Sequence, residues 1–391
     1  MDRKIYLDNS ATTPIRAEAL EKYIAVSTEC YGNPSSLHEM GFTAEKELRC
    51  ARAEILKTLD CRDGTVVFTA SGSEANNLAI TGRAFSKERF RKKGAKIITT
   101  LGEHASVNAP LEMLEGLGFK IAKIPTVGGL IDMDALKKEL TPDVILVSMM
   151  MVNNETGALY DLKSAFSLVK RICPEAITHA DATQSYMKVK FSKKSIFADM
   201  ITLSSHKIEG PKGVGALIID PVIIKKKDLS PIIFGGGQEG GLRSGTENVP
   251  AIAAFAEAAR LADTELEGSI GHLESLRTRL IERLATDAAL SEISPTLPPS
   301  HAPHILNITL PSVKSETMLH YLSSLGIYVS SGSACSSNST HKESALTAYG
   351  RSEREADFSI RISFSKRNTT DDVDALAVAL ASGIAKLARA K

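Results

Sequence analysis

KIITT (96–100) with ASVNAPLEMLEGLG (105–118) after it, and VILVSMMMV (144–152) with LKSAFSLVKRIC (162–173) after it, decide the fold of this chain. Each pair is a short, β-branched apolar run followed by an apolar pattern of helical period. The rhythm continues outward on both sides. VVFTA (66–70) precedes SEANNLAITGRAF (73–85), and ITHADA (177–182) and DMITLSS (199–205) come later. Strands alternating with helices need crossover connections, so the stretch from about 64 to 220 reads as a mostly parallel α/β sheet covered by helices. Beyond it, VPAIAAFAEAARLADTELEG (249–268) and HLESLRTRLIERLATDAAL (272–290) read as a helical connection out of the sheet, broken by the Pro-rich SPTLPPSHAP (294–303).

The order then changes. Strand HILNITL (304–310), helix SETMLHYLSSLG (315–326), strand IYVSS (327–331), strand FSIRISFS (358–365) and a last helix opening at Thr369, Thr370, Asp371 and Asp372 suggest a smaller α+β lobe. The last helix carries Lys386, Arg389 and Lys391 at its end, matching cap and dipole preferences. The expected division is a large α/β domain at 15–262 and a small α+β domain at 263–391 together with 1–14. The length supports it, because 391 residues exceed the roughly 250–300 that one core serves.

Lys plus Arg (47) nearly cancels Asp plus Glu (46), which argues against a nucleic-acid footprint and for a small-molecule substrate or a protein partner. The runs KERFRKK (87–93) and IIKKKD (223–228) read as solvated helix ends and loops. No apolar stretch reaches membrane-spanning length, and MDRKIYLDNSATT has no signal-peptide character, so a cytoplasmic protein is expected. Cysteines at 30, 50, 61, 173 and 335 lack paired spacing, which supports neither a disulfide framework nor a metal site.

Four segments fall where strands should end, at the edge where open α/β sheets bind ligands. SSHKIEGPKGVGAL places Ser204, Ser205, His206 and Lys207 there. A lysine so placed can form a Schiff base with an aldehyde cofactor, with hydroxyls and imidazole beside it for a phosphate, although a surface lysine in a Gly-rich turn gives the same pattern. THADATQS carries Asp181 and Gln184; an anion at a pyridine nitrogen is what such a cofactor requires, and a turn-capping Asp is the bland reading. FTASGSEANN offers helix N-terminal N–H groups with the hydroxyls of Ser71 and Ser73 for a phosphate, and it is no nucleotide P-loop. His104, in GEHASV, is either a structural hydrogen-bonder or an imidazole that stacks on a ring and moves protons.

YVSSGSACSSNSTHKES (328–344) sets Cys335 in a Ser/Gly-rich stretch with almost nothing apolar around it. A structural Cys normally sits in an apolar run, as Cys173 does, so Cys335 reads as an exposed loop thiol of the kind a sulfur carrier needs, against an incidental loop Cys. One Cys with His341 does not make a zinc site.

In order, GNPSS (32–36), VNNETG (152–157), HADATQ (179–184), SSHKIEGPKG (204–213), GGGQEGGLRSGTEN (235–248) and SSGSAC (330–335) resemble the cysteine desulfurases of the NifS/IscS type. These stand within the class V aminotransferase-like, fold-type I enzymes that use pyridoxal 5'-phosphate (PLP). The match runs from YLDNSATTP at residue 6 to the final helix.

The resemblance implies a Schiff-base lysine and proton shuttle at Lys207, the pyridinium partner at Asp181, the stacking acid/base at His104, and contacts to the ring's phenolic oxygen from Gln184 and Asn154. Gly72, Ser73, Ser204 and His206 would hold the phosphate, completed by Thr246 of the partner subunit in a homodimer. Arg361 in FSIRISFS would fix the substrate carboxylate, with Asn33 nearby. L-cysteine would give alanine and a persulfide on Cys335, to be passed to acceptors such as an iron–sulfur scaffold, tRNA thiolation or thiamine pathway proteins. A selenocysteine lyase, or another aminotransferase or lyase of the same scaffold, shares most of these positions. Three departures stand out: Ser71–Gly72–Ser73 where relatives read Gly–Ala–Thr, Gly240 where an arginine is frequent, and Glu209.

Overall fold

The computed structural model describes residues 4–86, 94–331 and 344–387. In chain order its strands are β1 (Ile5–Tyr6), β2 (Thr65–Thr69), β3 (Lys96–Thr100), β4 (Lys120–Ile124), β5 (Val144–Met150), β6 (Ile177–Asp181), β7 (Met200–Ser204), β8 (Gly215–Ile219), β9 (Ser294–Pro295), β10 (Ile305–Thr309), β11 (Ile327–Tyr328), β12 (Ser330–Ser331) and β13 (Ser359–Ser363). The helices used below are α1 (Ala17–Glu29), α2 (Glu39–Thr58), α3 (Gly72–Phe85), α4 (Ala105–Gly116) and α5 (Val249–Thr286).

A seven-stranded sheet runs in the order β2-β8-β7-β6-β5-β3-β4. Strands β3 to β7 are parallel, and β5, β6 and β7 are buried at every position, as near-continuous apolar runs covered on both faces must be. The exception is β8, antiparallel to both β7 and β2. Its connection, residues 205–214, is shorter than the roughly dozen residues that a parallel crossover needs, so the chain turns straight back into the sheet. That turn carries Lys207.

A second, four-stranded antiparallel sheet has the order β12-β13-β10-β9, and β1 pairs in parallel with β11. Its core gathers Leu306, Ile308, Ile360 and Ile362 with Ile5 and Leu7 of the N-terminal segment. Helix α5 serves both cores. It opens with Asn248 accepting the Ala251 N–H at 3.2 Å and Pro250 in the first turn. Its first half buries Ala251, Ala253, Ala254, Ala256, Ala258 and Ala259, small side chains that let α1 and α2 approach, whereas its second half inserts Leu273, Leu276, Leu280 and Leu284 into the second core. The two stretches quoted above join in one continuous helix through Gly268 and Gly271, which ends at Thr286, before the second stretch does. Leu276 is fully buried, so Leu276→Ala is expected to destabilise the chain by roughly 2–5 kcal/mol, read as a lowered midpoint in thermal unfolding. Among the described residues no helix is long and apolar enough to cross a membrane.

Candidate active site

The carboxyl ends of β2, β3, β5, β6 and β7 assemble the candidates. Asp181 is the last residue of β6 and Lys207 closes the short helical turn Ser205–Lys207 after β7, the adjacent strand. Lys207 Nζ donates to the carbonyl of Ser10 and, at 2.9 Å, to that of Ala11. Gln184 Nε2 donates to the same Ser10 carbonyl at 2.9 Å. The N-terminal segment therefore crosses the site: Thr13 binds the His206 carbonyl through both N–H and Oγ1, and Thr12 Oγ1 meets His206 Nδ1 at 3.1 Å. Burial, with Lys207 and Lys212 adding to it, pushes His206 down to about 4, so its ring is neutral at pH 7.

A polar chain joins His104 to Asp181. His104 caps α4, its Nδ1 accepting the Ser106 N–H at 3.1 Å and lying 2.8 Å from Ser106 Oγ. Asn76 of α3 donates one amide proton to Ser106 Oγ at 2.9 Å and the other to Asp181 Oδ2 at 2.8 Å. The Thr183 N–H at 2.9 Å fixes the other carboxylate oxygen. Withdrawal from water lowers His104 below the ordinary imidazole range, with Asp181 opposing and Lys207 reinforcing the shift. A neutral imidazole with Nδ1 accepting keeps its proton on Nε2.

The start of α3 forms a cradle. A Cβ on Gly72 would lie 3.2 Å from both Ser204 Cβ and Thr183 Oγ1. The first N–H groups of α3 are those a phosphate would take. Ser73 is exposed there, and Ser71 is the N-cap, its Oγ accepting the Glu74 N–H at 3.1 Å, so that oxygen closes the helix. No hydrogen bond among the described residues occupies the side-chain hydroxyls of Ser204 and Thr183. A buried carboxylate for a ring nitrogen, an adjacent lysine and a small-residue helix N-terminus fit PLP.

Gly215 opens β8 against this cradle. A Cβ there would come within 2.5 Å of the Ser71 carbonyl carbon and 2.8 Å of the Gly72 nitrogen, both backbone atoms that cannot swing aside. Gly215→Ala is expected to displace the start of α3 and weaken cofactor retention about tenfold, roughly 1.4 kcal/mol, measured as visible absorbance left after dialysis. Unchanged retention would remove Gly72 from the phosphate cup.

Arg361, on β13, is 3% exposed and already committed: it donates to Glu155 Oε1 at 2.8 Å, the Asn154 carbonyl at 3.1 Å and Asp8 Oδ1 at 3.0 Å. Asn154 Nδ2 donates to the same Glu155 oxygen at 2.8 Å. A substrate carboxylate at Arg361 would share it with these two acids. Asn33 lies exposed on another loop, its Oδ1 accepting the Ser35 N–H at 2.9 Å, and no hydrogen bond among the described residues joins it to the cluster. Thr246 is exposed and likewise outside this chain's own cluster. Cys335 and His341 lie outside the described residues.

Two unusual residues acquire reasons. Glu209, in the left-handed region at φ 62°, is buried and pairs with Arg367 at 2.9 Å and Lys366 at 3.2 Å, tying the lysine turn to the segment after β13. Gly240 has φ 65°, a conformation that a side chain disfavours.

The family described as Aminotransferase class-V is matched over residues 5–376. "Cysteine desulfurase IscS" of Methanosarcina thermophila is 37% identical over 378 residues, covering 95% of this chain and 90% of that protein. Among solved structures, a "NIFS-LIKE PROTEIN" has a TM-score of 0.89 at 34% identity, covering 98% of this chain and all of its own. "SspA in complex with cysteine" gives 0.78 at 29% identity, covering 94% of this chain and all of its own.

Proposed function

We propose, on the premise that the chain belongs to the aminotransferase class-V family and is a PLP-dependent cysteine desulfurase acting on L-cysteine, that the strand-end cluster is its reaction site and Cys335 its sulfur carrier. The observation that carries this reading is the convergence of Lys207, Asp181 and His104, each from the end of a different strand, beside the Gly72 cradle. PLP, when bound, supplies an electron sink that labilises bonds near the substrate Cα.

Lys207 Nζ would hold the cofactor and would carry the Cα proton. Asp181, held by Asn76 and Thr183, would supply the anion for the ring nitrogen, and the neutral His104 would be the stacking residue that exchanges protons. Gln184 and Asn154 would contact the phenolic oxygen. Gly72, Ser73, Ser204 and His206 would hold the phosphate with Thr246 of the partner subunit, so the working form would be a homodimer. Arg361 takes the substrate carboxylate, with Asn33 near it.

The Cys335 thiolate attacks the substrate sulfur, so a new S–S bond forms as the substrate C–S bond breaks. The electron pair stays on carbon, which takes a proton and leaves as alanine. Cys335 is left as a persulfide for acceptor proteins, an iron–sulfur scaffold being one class. We place this activity in the cytoplasm. The test is product analysis with L-cysteine and a thiol reductant: alanine and sulfide in equal amounts support the reading, and pyruvate with ammonia would replace it by an elimination.

A further inference from the structure

We infer that Glu103 is a positioning residue for this reaction, a buried neutral carboxylic acid that ties together the ends of β3 and β5 beside His104 and leaves Asp181 as the anion facing the cofactor ring. The inference rests on the roles proposed for His104 and Asp181.

Glu103 is 6% exposed. Its Oε1 accepts the hydroxyl of Thr100, the last residue of β3, and at 2.9 Å the N–H of Met150, the last residue of β5. The Glu103 carbonyl accepts from Asn108 Nδ2 at 2.8 Å, and the Gly102 carbonyl from Asn153 Nδ2 at 3.2 Å. The Leu101 N–H reaches the Ile124 carbonyl at 2.8 Å. The turn that presents His104 is thus pinned to three strand ends, and Glu103 supplies two of the bonds with one oxygen.

Its other oxygen, Oε2, is buried with no hydrogen-bond partner among the described residues. An ionised carboxylate there would have an unsolvated oxygen and a like charge on the next site anion, a combination that a neutral acid avoids. The titratable groups facing it are Asp181 from the end of β6 and Tyr160 from the segment after β5, with His104, the N-cap of α4, next in sequence. The Tyr160 phenol is pushed by burial to about 12 and stays neutral. Burial, with Asp181 adding, raises the Glu103 carboxyl to about 8, against the hydrogen bonds from Thr100 and Met150.

The sign for stability follows. An acid whose folded pKa lies above its unfolded value leaves the folded state at a growing disadvantage as pH rises from about 4.5 to about 8, and the disadvantage is constant above that. Glu103→Gln, neutral and isosteric, removes it.

The experiment uses the holoenzyme. Infrared spectra of wild type are expected to show a protonated-carboxyl band at pH 7 that fades as pH passes about 8 and is missing from E103Q. E103Q should turn over L-cysteine within about threefold of wild type at pH 7, with a higher unfolding midpoint above pH 7. Glu103→Ala, which frees the turn, should keep the visible cofactor band but lose kcat by roughly 10²-fold, the scale of a misplaced catalytic group. No band difference between wild type and E103Q, or an unchanged kcat in E103A, would overturn the inference. A chain that never acquires the cofactor band would overturn the site reading and this inference with it.

Discussion

Lys207→Ala is expected to end alanine formation from L-cysteine and to bleach the visible absorbance of the holoenzyme. The lysine sits on a turn too short to be anything but a tight return between β7 and β8, and its Nζ is held between the Ser10 and Ala11 carbonyls. Removing it leaves the fold intact, because the N-terminal segment keeps its bonds from Thr13 to the His206 carbonyl and the pairing of β1 with β11. The chemistry has no such reserve. Loss of the proton shuttle alone costs roughly 10²–10⁴-fold, and loss of the covalent hold on the cofactor adds to it. Lys207→Arg keeps the charge and should fail as completely, which separates the nucleophilic amine from simple electrostatics. A K207A protein with wild-type turnover would place the cofactor elsewhere.

Cys335→Ala is expected to bring sulfide release to about a hundredth of wild type or less, a barrier higher by about 2.7 kcal/mol, while the cofactor band remains. The other cysteines provide controls. Burial raises the thiols of Cys61 and Cys173 above the ordinary range, which suppresses the thiolate that sulfur transfer needs. Cys50 is exposed, so Cys50→Ala distinguishes a specific thiol from any accessible one and should leave the rate unchanged.

The α/β alternation was legible because a parallel sheet imposes one local pattern many times, and Lys207, Asp181, His104 and Gly72 stood out because each ends or follows a strand. The antiparallel direction of β8 could have been read from its short connection. The rest depends on contacts far apart in sequence. The Ser10 carbonyl that takes both Lys207 and Gln184, the Asn76 bridge between Ser106 and Asp181, and the Asp8 partner of Arg361 leave no periodic signal. The cap role of Ser71 did not stand apart from a ligand role, because a helix cap and a phosphate site share the same residue preferences. Glu209 could not be explained locally because its partners, Lys366 and Arg367, come from the far end of the chain, after β13. Glu103 gives no signal in the sequence, since a charged residue in a turn normally faces water and this one is enclosed.

The most direct test of the central claim is a peptide mass map of the holoenzyme after brief exposure to L-cysteine without reductant. The wild type should carry one added sulfur atom on the peptide containing Cys335, and K207A and C335A should carry none. Alanine formed with the added sulfur on Cys30, Cys50, Cys61 or Cys173, or on no cysteine at all, would contradict it.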